Sequence, residues 1–218
     1  MAADWNATAR YRFPAGRYGV RTLEAVVTVP EAELPAEAAG AAVFVGVAMD
    51  PLFRGYAPVA AGTALRWTGR AWEACVAHLS STSDGGAPFL YWTHVLDAAP
   101  GADVRTTMRI ADARAQALEY ATAVDTESAT EHVFLANSRR ISGAVVGVFV
   151  PPHTRCGTLT PGLGALCRLQ RLVPLWGDTC VDCTWVYDPA PNSRPNECGS
   201  SVTPVFATVP YLQAIFRN

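Results

Sequence analysis

Short runs rich in Val, Thr, Tyr, Phe and Trp recur along the chain, separated at fairly regular intervals by Gly, Pro, Asp, Asn or Ser. β-Branched and aromatic residues suit a pleated backbone, and the intervening residues favour turns. The pattern predicts strands over 19–30, 42–48, 72–79, 89–96, 104–111, 116–124, 132–136, 143–150, 171–176, 179–187 and 204–209. So many strands with so little helix predict an all-β sandwich or barrel. One helix-like stretch, 31–39, is interrupted by Pro35 and reads equally well as a loop, while 189–201 is a polar, Pro-rich excursion. There is no internal repeat and no low-complexity tail.

Composition narrows this further. Half of the 218 residues are apolar and 17% are charged, enough to bury a sizeable core within one domain spanning residues 1–218. The formal charge of -2 and the scattered arginines, Arg139-Arg140 apart, supply no basic field for nucleic acid. No apolar run approaches the roughly 20 residues of a membrane span, so no membrane partner is expected. The opening residues are not a basic segment followed by an apolar one, so the expected location is cytoplasmic, or secreted if a leader has been trimmed.

All 17 basic residues are arginine and none is lysine. Schiff-base chemistry, pyridoxal phosphate attachment and the P-loop all need a lysine amine, which a permanently protonated guanidinium cannot replace. Of six cysteines, five lie in the last third. Cys180-Val-Asp-Cys183 has the spacing of a redox or zinc motif, but on a strand these two thiols point to opposite faces, and no second such pair exists. Buried thiols or one or two disulfides are the better reading, with pairing left open. His78, His94, His132 and His153 are too dispersed for a metal site, and HExxH, GxSxG and a placed GxGxxG are all missing. No cofactor and no metal are expected. Asn6-Ala7-Thr8 is a glycosylation sequon that matters only in an exported protein.

A series of motifs says more. Leu23-Glu-Ala-Val-Val-Thr-Val-Pro30 is followed by Val43-Phe44-Val45-Gly46-Val47-Ala48, Val59-Ala60-Ala61-Gly62 and Ala71-Trp72-Glu73-Ala74. Pro100-Gly101-Ala102-Asp103-Val104, Gly147-Val148-Phe149-Val150 and Leu172-Val173-Pro174 complete it. In order and spacing the series resembles the fungal glutamic peptidases, the eqolisins, across residues 17–187. That family has a strand ending Thr-Val-Pro, then Ala-Trp-Val-Gly-Ile-Asp, then Leu-Gln-Thr-Gly, a Trp-rich strand, a Pro-Gly-Asp turn, Trp-Ile-Val-Glu and Leu-Val-Pro.

The resemblance implies an antiparallel, concanavalin/eqolisin-like β-sandwich of two seven-stranded sheets, one bent into a concave groove. It also brings a mechanism of peptide cleavage in which Glu is general base and then acid, while Gln holds the tetrahedral intermediate. Carried across, the glutamine falls on Ala60, the glutamate on Val150 or a neighbour, and an auxiliary acid on Ala48. Alanine and valine cannot move a proton, so peptidase activity is expected to be absent. A one-residue slip would exchange faces, and Glu73 lies one place from a further groove glutamate of the family.

Small apolar residues in place of polar ones imply a drier, roomier cleft lined by Phe44, Ala48, Ala60, Trp72 and Val150, with Glu73 as candidate acid or base. Such a cleft suits a hydrophobic small molecule. Two functions follow as expectations: a cofactor-independent cyclase or isomerase of fungal specialised metabolism, or a non-catalytic binding protein. An acid endopeptidase working from a shifted register is the third alternative.

Overall fold

The structure, a computed structural model, describes residues 5–12, 22–31, 33–49, 58–80, 89–112, 117–134, 141–149, 166–176, 179–180, 186–189, 201–205 and 211–215. These residues form strands β1 (Trp5–Arg12), β2 (Thr22–Thr28), β3 (Ala42–Met49), β4 (Pro58–Trp67), β5 (Trp72–Ser80), β6 (Phe89–Ala98), β7 (Asp103–Asp112) and β8 (Ala117–Val124). They continue with β9 (Glu127–Phe134), β10 (Ile141–Phe149), β11 (Leu166–Trp176), β12 (Thr179–Cys180), β13 (Val186–Pro189), β14 (Ser201–Val205) and β15 (Tyr211–Ile215). The segment read as helix or loop holds a single 3-10 turn, Ala36–Ala38, directly after Pro35. No helix among the described residues is long and apolar enough to cross a membrane.

All the pairings are antiparallel. One sheet runs β13-β1-β10-β3-β4-β5-β6 and the other β14-β15-β11-β2-β7-β8-β9, with the two-residue β12 added beside β11. Among the described residues the first sheet has the seven strands that the sequence resemblance implies and the second has eight, β12 included, in an all-β sandwich.

Alternation identifies the interior. In β8, Leu118, Tyr120, Thr122 and Val124 are buried while their neighbours are only partly so, and Val104, Thr106 and Met108 of β7 repeat the pattern. Thr122 Oγ1 lies 2.6 Å from Thr63 Oγ1 of β4 in the opposite sheet. Ala61, Thr63, Leu65 and Trp67 of β4 therefore face the interior, together with their cross-strand neighbours Val43, Val45 and Val47 of β3 and Trp72, Ala74 and Val76 of β5. The opposite faces of β3, β4 and β5 are also largely buried, which is why these strands read as continuous apolar runs.

The hairpin from β4 to β5 fixes this geometry. Thr68 Oγ1 accepts from the backbone N–H groups of Arg70 and Ala71 at 3.3 and 3.0 Å, and Gly69 takes φ +95°, a conformation that favours glycine. Trp67 and Trp72 pair across the strands beside the turn, with ring centroids 5.4 Å apart, and Trp67 Nε1 donates to the Pro35 carbonyl at 3.0 Å.

Several expectations need adjustment. β1, β4 and β15 lie where no strand was expected, and 179–187 holds two short strands, β12 and β13. β9 begins at Glu127, ahead of the expected 132. Cys180 is on a strand, and Cys183 lies outside the described residues.

Candidate ligand site on the outer face of the seven-stranded sheet

Register carries the outer face across the sheet in level rows. At one level Gly147 of β10 stands beside Phe44, then Ala64, Cys75 and Val95. The next level holds the positions Val145, Gly46, Gly62, Ala77 and Trp92, and the one beyond it Gly143, Ala48, Ala60, Leu79 and Leu90. On the other side of the Phe44 row come Phe149, Ala42, Arg66, Glu73 and Asp97. Glycine and alanine thus dominate the middle of the face, and large or charged residues gather at the β6 edge.

Two glycines show why the middle is small. A Cβ on Gly62 would lie 2.1 Å from the Val45 carbonyl oxygen, and one on Gly46 would lie 2.3 Å from that of Ala61 and 2.7 Å from Phe44 Cζ. The backbones of β3 and β4 approach too closely for any side chain there, and the Phe44 ring folds over Gly46. Phe44, Ala60, Ala64, Ala77, Leu79 and Leu90 form one buried apolar cluster with Ala42. Exposure rises at the β6 rim, to 38% at Trp92 and 47% at Val95.

The polar end of the face is an ion pair. Arg66 Nη2 donates to Glu73 Oε2 from the directly opposed position, both side chains being about a fifth exposed. The Trp92 ring covers the guanidinium, with its centroid 4.9 Å from Arg66 Cζ. Arg66 Nε is buried and meets no acceptor among the described residues. Asp97, exposed, sits opposite Glu73 in register. Between these groups and the apolar cluster lies the free thiol of Cys75, which burial pushes up to about 11; Arg66 counteracts this and Glu73 reinforces it. At neutral pH the thiol is protonated and a poor nucleophile.

Of the residues expected to line the cleft, register brings Phe44, Ala48, Ala60 and Glu73 to this face. Trp72 is a correction. It is 2% exposed on the interior face, because neighbouring residues of a strand point to opposite sides and Glu73 takes the outer one. Val150 lies outside the described residues. The face is also less open than expected, since Phe44 and Ala77 are 0% and Ala60 2% exposed. Arg66 and Trp92 were not anticipated. A signal for Arg66 existed: the turn at Thr68 to Ala71 makes a hairpin, and counting back from it sets Arg66 against Glu73. Among the described residues no group of three or more His, Cys, Asp or Glu could hold a metal ion.

The sequence matches no family model and no curated protein. Solved structures do match. A scytalido-glutamic peptidase carrying a transition-state analog inhibitor superposes with a TM-score of 0.57 at 9% identity, over 98% of this chain and 100% of that one. SCP-B, a member of the eqolisin family in complex with the tripeptide Ala-Ile-His, superposes with a TM-score of 0.51 at 12% identity over the same shares. At such identities the likeness establishes a shared eqolisin-type β-sandwich fold.

Proposed function

We propose that this chain is a non-proteolytic protein of eqolisin-like fold that takes up an apolar small molecule at the outer face of its seven-stranded sheet. The observation that carries the proposal is the cross-strand pair Ala48 and Ala60. These are the two positions to which the sequence resemblance carries an auxiliary acid and the glutamine that holds the tetrahedral intermediate. They stand directly opposite each other in register, and neither has a side chain that can hydrogen-bond or move a proton. The β10 positions in register with Phe44, Gly46 and Ala48 are Gly147, Val145 and Gly143, which also carry no carboxyl group. Apolar walls with a few polar groups at one end suit an apolar ligand better than a peptide backbone, whose amides would lose their hydrogen bonds to water there.

The reaction class we assign is a cofactor-independent cyclisation or isomerisation, with Glu73 as the group that moves the proton. A binding protein without turnover is the second reading, favoured by the ion pair that already engages Glu73.

The test uses the neutral dye Nile red and unfolded casein. Nile red is expected to bind, and Val95→Asp, which puts a charge on the exposed rim without disturbing the core, should weaken it at least severalfold. Casein should survive at acidic pH. Cleavage of casein that vanished in Glu73→Gln would overturn the reading and restore a peptidase in a shifted register. Once a substrate is found, loss of turnover with retained binding in Glu73→Gln separates enzyme from binder.

A further inference from the structure

The Arg66 guanidinium uses Nη2 on Glu73 and lies beneath Trp92, while its Nε is buried and meets no acceptor among the described residues. Folded proteins rarely leave a buried donor unmatched, because the hydrogen bond it made to water is lost without replacement. An oxygen brought by a ligand would supply the missing acceptor. The neighbouring charges decide what kind of oxygen. Glu73 already neutralises Arg66, and Asp97 stands opposite Glu73 on the exposed strand, so the row holds one cation and two carboxylates. An incoming carboxylate or phosphate would meet net negative charge, whereas a neutral carbonyl oxygen would not. Trp92 and Val95, the exposed apolar residues of this rim, offer a flat wall leading toward the buried Ala77 and Gly62.

We infer that the ligand is an uncharged apolar molecule bearing a ketone or aldehyde, whose carbonyl oxygen accepts from Arg66 Nε–H while its body lies along the Trp92 and Val95 rim. This rests on the proposal that the outer face is an apolar site, and it adds the ligand's polar group and charge.

Three probes with matched aromatic bodies test it by calorimetric titration of the full chain: 2-ethylnaphthalene, 2-acetylnaphthalene and 2-naphthoate. The ketone is expected to bind about tenfold more tightly than the hydrocarbon, a difference of about 1.4 kcal/mol, and the carboxylate more weakly than either. Arg66→Met keeps an unbranched stem under Trp92 but removes the donor. It should abolish the ketone's advantage while leaving hydrocarbon affinity within about twofold. Arg66→Met combined with Glu73→Gln removes the stranded carboxylate and serves if the single variant fails to fold. A carboxylate that binds most tightly, or a ketone preference that survives loss of Arg66, overturns the inference. If the hydrocarbon binds but the ketone has no advantage, this inference alone falls. If none of the three binds, the apolar-site reading falls with it.

Discussion

Thr63 of β4 and Thr122 of β8 hydrogen-bond each other through the interior, with 2.6 Å between their Oγ1 atoms and both side chains buried. The bond joins the two sheets and marks which face of β4 looks inward. Replacing one partner strands the other hydroxyl away from water, so Thr63→Val should cost about 1–3 kcal/mol, as should Thr122→Val. The double variant leaves neither hydroxyl of this pair stranded and should recover most of that loss. Urea denaturation of the four proteins measures the coupling, and simple additivity would count against the bond.

Thr106 lies directly across from Thr122 in β7, buried, and its Oγ1 has no partner among the described residues. Removing a hydroxyl that is buried and unsatisfied removes a desolvation penalty while keeping nearly the same shape. Thr106→Val should therefore raise stability by about 1 kcal/mol, seen as a higher urea midpoint with an unchanged slope. The opposite signs expected at Thr63 and Thr106 make the pair a sharper test than either alone.

Gly62 tolerates no side chain, because its Cβ would fall 2.1 Å from a backbone oxygen of β3 that cannot swing aside. Gly62→Ala should force β3 and β4 apart at the centre of the sheet, with a loss of about 1–3 kcal/mol or more. Gly101 is the control. A Cβ there would make only an ordinary contact, 4.0 Å from Glu31 Oε1, but the residue takes φ +78°, so Gly101→Ala carries mainly the local backbone strain. Thermal melts should rank Gly62→Ala below Gly101→Ala, and the reverse order would contradict the close approach of the two strands.

His78, half-buried in β5 with its ring 4.9 Å from that of Tyr91, has its pKa lowered by burial, an effect Glu131 partly offsets. The folded chain resists protonating it, whereas the unfolded chain takes the proton in the ordinary imidazole range near 6.5. The stability linked to neutral His78 is thus present above that range and is lost as pH falls through it. Relative to His78→Gln, the parent protein should lose melting temperature on going from pH 8 to pH 5. A gap between the two that stays constant over this range would contradict the assignment.

The sequence alone determined the all-β class, because turn-forming residues punctuate it at short intervals and its β-rich runs are too short and too branched for helices. It also contained the fact that Trp72 and Glu73 cannot share a face, since side-chain direction along a strand depends only on position. Motif order pointed to the fold, although each motif alone is common. β3, β4 and β5 are all largely buried on both faces and lack clear alternation, but of the three only β4 was hidden, because its Ala- and Gly-rich run, Ala60-Ala61-Gly62, sets in succession three residues that strands disfavour, as neither of the other two does. Tertiary structure alone decided which face of β4 looks inward, that Ala48 meets Ala60, that Gly46 and Gly62 occupy a pinch between strands, and that Arg66 sits beneath Trp92 with Nε unmatched. These are facts of register and of distance between strands. They arise from how two sheets pack, and a linear pattern carries the alternation of each strand but not its alignment with the next.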